Sequence, residues 1–232
     1  MMSQAARARL AAFAIATLVL PLAGARADIV LSQLILDLQP GSHAREDIEV
    51  LNNGPERAYV EVVPGEIVDA GRPDQKRVED PDPQKLGLLA APGRMILEPG
   101  QRKLLRIAVL GSGAARERVY RVTVKPVAGP LSSGESGLKV LVGYDVLVLV
   151  RPGEIRPHLT GERTGNELVV HNDGNVSVEL TDGRQCDGNG GSCAALPGKR
   201  LYAGADWKQT LKSGGPVTYV VRSPGKAVPT TF

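Results

Sequence analysis

The segment from Pro92 to Pro152 contains three strand-like runs that are separated by polar or turn-prone residues. The last run extends from Leu138 to Arg151 (LKVLVGYDVLVLVR) and has few polar residues on either face of a strand. A long apolar strand that faces water promotes aggregation. We therefore expect this strand either to be buried within a sheet or to bind another protein.

Short apolar runs punctuated by glycine and proline recur along the whole chain. The chain has 27 Gly and 17 Pro but only two Phe and one Trp, so Val, Leu and Ile must form its core. About seven runs precede Arg151, spaced roughly ten residues apart, which is typical of an immunoglobulin-like sandwich. About six shorter and more polar runs follow the break at Pro152-Gly153 and predict a second, smaller β-sandwich.

The predicted domains comprise residues 28–152 and 153–232, and no helical pattern separates them. The polar segment from Asp69 to Lys85 contains several prolines and is predicted to be a loop. Its aspartates lack the regular ligand spacing of a calcium-binding loop.

The N-terminal 27 residues have the features of a secretory signal peptide. Arg7 and Arg9 precede an apolar stretch from Leu10 to Leu22, which is too short to cross a bilayer. The sequence Ala-Arg-Ala at 25–27 fits a cleavage site of the A-x-A type. We expect residues 1–27 to be removed on export and the mature chain to have no stable membrane insertion. An N-terminal membrane anchor is the alternative.

The charge balance does not favour a nucleic-acid partner. Of the 28 basic residues, three lie in the predicted signal peptide, which has no acidic residue. The mature chain therefore has 25 basic and 25 acidic residues. We expect no nucleic-acid partner for a chain without net charge.

The sequence contains no constellation of residues for catalysis or for binding a cofactor. The three histidines, His43, His158 and His171, are scattered and lack metal-ligand spacing. No nucleophile elbow, phosphate-binding loop or dinucleotide fingerprint occurs. We expect a protein that is not an enzyme and that needs neither a cofactor nor a metal.

Cys186 and Cys193 enclose a glycine-rich sequence, DGNGGS. An exported chain meets an oxidising compartment, so we expect these residues to form a disulfide. A metal site would need two further ligands nearby. The spacing also differs from that of a C-x-x-C redox motif.

The chain resembles the periplasmic chaperones of the chaperone–usher pilus systems. The resemblance rests on the segments RMILEPGQRKLLRIAV, ERVYRVTVKPV, LKVLVGYDVLVLVRP and HNDGNVSVEL, and it covers nearly all of the mature chain in order. It implies a periplasmic protein of two immunoglobulin-like domains in an L-shaped arrangement, with a binding cleft between them. The implied partners are pilus subunits, which lack the last strand of their fold, and the outer-membrane usher that receives them.

The resemblance assigns the seventh strand of the first domain to subunit binding. Such a strand pairs with the open edge of the subunit and inserts alternate side chains, which is a form of β-augmentation. Side chains spaced by two lie on one face of a strand. On this basis the donated side chains are Leu138, Val140, Val142 and Tyr144. A strand that is only a buried part of the core is the alternative.

Two positions depart from the family pattern. Most members anchor the C-terminal carboxylate of the subunit with an Arg on the first strand and a Lys near the end of the seventh. Gln33 and Leu147 stand at these positions, and neither forms a charge-assisted hydrogen bond. The departure, the short cysteine pair and the Asn-Asp-Gly-Asn turn at 172–175 resemble the alternate, colonisation-factor-like class of these chaperones.

Other basic residues must bind the carboxylate if it is anchored at all. The candidates are Arg94, Arg121, Lys125, Lys139 and Arg151. Arg121 and Lys125 share strand parity and predict a basic stripe near the donor strand. A solvated position on the outer face of the sandwich is the alternative for each candidate.

Two other functions are compatible with a β-sandwich chain. One is a structural pilus subunit or adhesin, although two domains are too many for an ordinary subunit. The other is a secreted enzyme, for which no residue constellation is found. An exposed donor strand also predicts that the free protein is capable of self-association.

Overall fold

The computed structural model describes residues 28–111, 113–127, 141–187 and 192–232. Within these ranges the regular secondary structure consists of β-strands and one short helix. No helix in the described ranges is long and apolar enough to cross a membrane.

The first ten strands form two facing sheets. They are β1 (Ile29–Leu31), β2 (Ile35–Leu38), β3 (Arg45–Asn52), β4 (Ala58–Val68), β5 (Lys76–Val78), β6 (Leu88–Ala91), β7 (Arg94–Leu97), β8 (Arg102–Val109), β9 (Arg118–Val127) and β10 (Tyr144–Val150). One sheet has the order β1-β3-β8-β6. The other has the order β2-β10-β9-β4-β5, with β7 attached to β4. Strand β2 runs parallel to β10, whereas β9 runs antiparallel to it.

Alternation along the strands separates the core from the surface. On β9, Tyr120, Val122 and Val124 are fully buried, whereas Arg121 and Lys125 lie on the opposite face. The buried positions of both sheets join in one aliphatic core between them. The period of two that is visible in the sequence therefore decides which face of each strand is enclosed.

The remaining eight strands form the second sandwich. They are β11 (Leu159–Thr164), β12 (Glu167–Asn172), β13 (Val178–Cys186), β14 (Cys193–Ala195), β15 (Lys199–Leu201), β16 (Asp206–Thr210), β17 (Val217–Ser223) and β18 (Lys226–Thr231). The sheets have the orders β11-β12-β16 and β14-β13-β17-β18, with β15 attached to β13. A separate apolar core lies between these sheets. The prediction of an all-β chain with two β-sandwich units is confirmed.

Both sandwiches contain a buried asparagine at the end of a strand. The side-chain amide of Asn52 donates to two backbone carbonyls at 2.7 and 3.0 Å, and that of Asn172 does so at 2.9 and 2.8 Å. Each side-chain oxygen accepts at 3.0 Å from a glycine N–H two residues later, that of Gly54 or Gly174. A buried amide needs such partners, so each Asn-x-Gly turn fixes an equivalent corner in its sandwich.

An apolar cluster joins the two sandwiches. Val119, Leu147 and Leu149 project from the outer faces of β9 and β10 and pack with Ala70. Tyr202 of the second sandwich packs against the same cluster. The outer face of the first sandwich is therefore apolar where it meets the second.

A buried charge network lies beside this cluster. Arg151 donates to both carboxylate oxygens of Asp37, at 2.7 and 2.6 Å, and to Glu117. Glu117 also accepts from the backbone N–H and the hydroxyl of Ser177 in the second sandwich, both at 3.1 Å. Burial opposes the charge of Arg151, but its hydrogen bonds to Asp37 and the charge of Glu117 outweigh that effect, so the pKa of Arg151 is raised.

The segment from Asp69 to Lys85 is not the loop that was predicted. It contains β5, which pairs with β4, and a short helix, α1 (Pro83–Leu86). The Asp82 side chain caps this helix by accepting from the Gln84 N–H at 2.9 Å. Gly87 ends the helix with a φ of 79°, a left-handed conformation that favours glycine. Proline and aspartate are common in loops, but both also favour the beginning of a helix, as Asp82 and Pro83 do here.

Candidate partner-binding edge

Strand β10 is paired along only part of one edge. It pairs with β9 over its full length, from Tyr144 to Val150. On its other edge, β2 begins at Ile35, which faces Leu147. Among the described residues, the segment 144–146 therefore has no strand neighbour on that side, and the edge is open there.

The inner face of the sheet continues past the part of β10 that the core covers. Val146, Val148 and Val150 are buried in the core, and Tyr144 packs partly against it. Val142 has the same parity but is 50% exposed, and its neighbour Leu141 is 38% exposed. An apolar face that is uncovered beside an open edge suits the addition of a strand from another protein.

The predicted strand from Leu138 to Arg151 is observed as β10 over a shorter range. Residues 146–150 are buried on both faces and form a core strand. Residues 141–145 are partly or largely exposed. Of the predicted donor residues, Val142 and Tyr144 lie in this exposed part, whereas Leu138 and Val140 lie outside the described residues.

Gly143 lies against β9, where a side chain does not fit without a shift. A Cβ at this position would stand 3.0 Å from the Lys125 Cβ and 3.3 Å from the Val124 carbonyl oxygen. Glycine therefore lets the chain before β10 follow β9 closely.

Gln33 and Leu147, which stand where the resemblance implies an anchoring Arg and Lys, contact other parts of the chain. The Gln33 side chain donates to Glu46 at 2.9 Å. Leu147 is 5% exposed and belongs to the apolar cluster between the sandwiches. Neither position presents a cation beside the open edge.

Arg94 and Lys125 share one carboxylate on the outer face of the sheet. Their side chains lie 3.2 and 3.3 Å from the two oxygens of Glu61, which stands between them on β4. Hydrogen bonding to Lys125, and then to Arg94, lowers the pKa of Glu61. The three side chains form an exposed cross-strand cluster.

Arg121 lies closer to the open edge. Alternate residues of a strand point their backbone groups to the same side. The Leu147 N–H donates at 2.9 Å to the Leu34 carbonyl, on the side of β2. The carbonyl of Asp145 therefore points to the open side, and Arg121 Nη1 donates to it at 3.1 Å. The Arg121 guanidinium thus stands at the point where the open edge meets the beginning of β2.

The other two candidate cations are placed differently. Lys139 lies outside the described residues. The Arg151 side chain is 6% exposed, and both of its carboxylate partners belong to this chain. We therefore assign Arg151 to the contact between the sandwiches rather than to ligand binding.

Arg77 is a further cation at this surface that is not among the predicted residues. It lies on β5 and donates to Asp145 at 3.1 Å and to the Thr123 hydroxyl at 2.9 Å. Its segment has the composition of a loop, so only the pairing of β5 with β4 carries it to this face.

The predicted disulfide between Cys186 and Cys193 is confirmed. It joins β13 to β14 at the edge of a sheet in the second sandwich. In the described parts of the chain, no group of three or more His, Cys, Asp or Glu residues is arranged to hold a metal ion.

No protein-family profile and no curated protein sequence matches the chain. Its fold, however, is similar to that of several solved structures. The class 5 fimbriae chaperone CfaA is 22% identical, with a TM-score of 0.68 over 88% of this chain and 98% of that chain. A chain in the complex of the Salmonella enterica SafA pilin with the SafB chaperone is 19% identical, with a TM-score of 0.64 over 90% and 98% of the two chains.

A third similar structure is the chaperone–tip adhesion subunit pre-assembly complex CsuC–CsuE from the archaic Csu pili of Acinetobacter baumannii. The matching chain is 13% identical, with a TM-score of 0.59 over 88% of this chain and 98% of that chain. These likenesses extend over both sandwiches. The chain therefore has the two-sandwich fold of the fimbrial chaperones.

Proposed function

We propose that this protein is a periplasmic chaperone that binds a pilus subunit by lending it the beginning of strand β10. The observation that carries the proposal is the open backbone edge at 144–146 together with the uncovered apolar side chain of Val142. A subunit strand added there would continue the sheet in line with β2. The donated face would extend towards Val140 and Leu138.

The geometry favours this addition on energetic grounds. A subunit that lacks one strand exposes an apolar groove and unpaired backbone groups, both of which are costly in water. Insertion of Val142 and its neighbours of the same parity would bury their side chains, and this transfer from water is favourable by roughly 1.5–3 kcal/mol per residue. The chain itself needs little rearrangement, because β9 already holds Tyr144 and Asp145 in an extended conformation.

Arg121 is the candidate that we favour as the anchor for the C-terminal carboxylate of the subunit. Its guanidinium donates a hydrogen bond to the backbone carbonyl of Asp145, next to the beginning of β2. A subunit strand in line with β2 would have to end at this point. A terminal carboxylate at that point would form a charge-assisted hydrogen bond with Arg121. Lys125 and Arg94 lie farther along the same face, where both already form ion pairs with the carboxylate of Glu61.

The remaining parts of the proposal follow from the sequence. Residues 1–27 would direct export to the periplasm and be removed. Residues 28–152 and 153–232 would form the two domains, and the loaded chaperone would deliver its subunit to an outer-membrane usher. We propose no enzymatic activity, and the similar structures are chaperones or complexes that contain one.

The decisive experiment is co-expression of the tagged chain with the candidate subunits that are encoded beside it. A pull-down from the periplasm should recover one subunit in a stoichiometric complex. Recovery of the tagged chain alone, with every candidate subunit expressed, would contradict the proposed function.

A further inference from the structure

Two hydrogen-bond donors and a second guanidinium group converge on the carboxylate of Asp145. Arg77 Nη1 donates to Asp145 Oδ1 at 3.1 Å, and the Thr123 hydroxyl donates to the same oxygen at 2.9 Å. Arg121 Nε lies 3.9 Å from Asp145 Oδ2. Two guanidinium groups and a hydroxyl are the donors that proteins use to hold a carboxylate.

The chain holds Arg77 in place independently of Asp145. Its Nη2 donates to the Val63 carbonyl at 3.0 Å and to the Thr123 hydroxyl at 2.9 Å, and its Nε donates to Glu79 at 2.8 Å. The side chain passes over Gly65, where a Cβ would stand 2.8 Å from Arg77 Nε. Glycine at this position thus leaves a path across the sheet from β5 to β10.

The carboxylate that fills this site is itself easy to replace. The Asp145 side chain is 47% exposed, and those of Arg77 and Arg121 are 29% and 34% exposed. Ion pairs at such exposure contribute little to stability. Asp145 can turn to water without leaving a buried group unpaired.

We propose that Asp145 occupies, in the free chain, a carboxylate site built by Arg77, Arg121 and Thr123, and that a carboxylate of the bound partner takes its place. The proposal rests on the proposed function, because the site adjoins the open edge at 144–146. It adds Arg77 as a specificity-determining residue and Asp145 as an internal competitor.

The charges favour exchange over addition. Asp145 and Glu79 already balance the two guanidinium groups. A second carboxylate beside Asp145 would meet a like charge within a few ångströms, which is unfavourable. The partner carboxylate therefore binds as Asp145 turns away, and Asp145 lowers the apparent affinity of the site.

Acetate is a suitable probe, because it is the simplest carboxylate and requires no subunit. The measurement is an NMR titration that follows the Nε–Hε resonances of the arginines. In Asp145→Asn, the resonances of Arg77 and Arg121 should respond with an apparent Kd about tenfold lower than in the wild type. Adding Arg77→Gln to Asp145→Asn should abolish this gain.

Asp47→Asn is the matched control, because Asp47 is paired with a single arginine, Arg106, on the other sheet. It should not produce a comparable site. An equal acetate response in the wild type and Asp145→Asn would overturn the proposal. A response of Arg106 in Asp47→Asn as strong as that of Arg77 in Asp145→Asn would also overturn it, since freeing any arginine would then suffice.

Two further measurements distinguish a failure of this inference from a failure of the proposed function. Gly65→Ala should push the Arg77 side chain aside and weaken acetate binding in the Asp145→Asn background, with the fold monitored by its NMR spectrum. If a subunit is captured and Asp145→Asn leaves its affinity unchanged, only the exchange at this site is wrong. If no subunit is captured, the proposed function fails whatever the acetate titration shows.

Discussion

Leu147 and Arg121 face each other in register across strands β10 and β9. Their side chains lie on the same face of the sheet, as those of cross-strand partners do. The apolar residue packs into the cluster between the sandwiches, whereas the guanidinium lies at the open edge. The position at which the resemblance implies a lysine thus contributes to packing between the sandwiches, and the neighbouring strand provides the cation.

Replacing Leu147 with alanine should destabilise the protein by about 2–4 kcal/mol, because it leaves a cavity in a buried cluster. The measurement is the free energy of unfolding in urea. Leu104→Ala is the control, since Leu104 is 59% exposed and should change stability by less than about 0.5 kcal/mol. Equal effects of the two substitutions would show that Leu147 is not packed as described.

Val142→Asp should abolish the proposed capture of a subunit while the protein remains folded. The side chain is 50% exposed, so the free chain tolerates a charge there. Burying the same charge in the groove of a partner would be highly unfavourable. The pull-down should be repeated with Val228→Asp, at a valine that is 39% exposed on β18. Normal capture by Val142→Asp would exclude donation through this face.

Glu117→Ala should destabilise the protein by about 1–3 kcal/mol, because it removes one of the two carboxylate partners of the buried Arg151 guanidinium and leaves the N–H and hydroxyl of Ser177 without their acceptor. Thermal and urea unfolding would measure this loss. The exposed pair of Glu49 with Arg102 provides the control, and Glu49→Ala should cost less than about 1 kcal/mol. A loss as small as that of the control would mean that the network contributes little to the stability of the folded chain.

His171 should titrate above its ordinary value. Its hydrogen bond to Asp206, at 2.8 Å, is the main cause of the raised pKa. Because the folded-state pKa exceeds that of the unfolded chain, the stabilisation is complete below about pH 6.5 and is lost as the pH rises through the folded-state pKa. NMR titration of the imidazole should show the raised pKa in the wild type and a lower one in Asp206→Asn. Asp173→Asn should lower it less, since Asp173 acts only through its charge. An unchanged pKa in Asp206→Asn would contradict this account.

Removing the disulfide should weaken the second sandwich. Chain-entropy reasoning gives a loss of about 2–3 kcal/mol for a loop this short. The double variant Cys186→Ser, Cys193→Ser should lower the unfolding temperature of the second sandwich, followed by the fluorescence of Trp207. The unfolding temperature of the first sandwich should change little, because the bridge connects β13 and β14 only. A larger effect on the first sandwich than on the second would contradict the placement of the bridge.

Alternation of apolar residues was sufficient to predict most of the fold. On β9, the residues that alternate in the sequence are those that alternate between core and surface. The predicted domain boundary at Pro152-Gly153 stays a prediction; these two residues lie between the end of β10 at Val150 and the beginning of β11 at Leu159. The prediction of a loop from Asp69 to Lys85 is wrong, because short strands and helices that depend on pairing and capping have no periodic pattern.

The candidate site was predictable only in part. The parity of Val142 and Tyr144 can be read from the chain, since a strand has a fixed period of two. The place where β2 stops covering β10 depends on how two distant segments pair, and no local pattern encodes it. Arg77 is 68 residues from Asp145, and Arg151 is 114 residues from Asp37. Such contacts arise only when the sheets form.

The apolar run from Leu138 to Arg151 summarises this division. Its composition by itself determined that the segment must be covered, either by its own core or by another protein, because exposed apolar strands are unfavourable in water. The tertiary structure decided which of its described residues are covered by this chain and which keep an open edge. The facing sheet of the first sandwich and the second sandwich bury residues 146–150, whereas β2 begins only at Ile35, opposite Leu147, and so leaves 144–146 with an open edge.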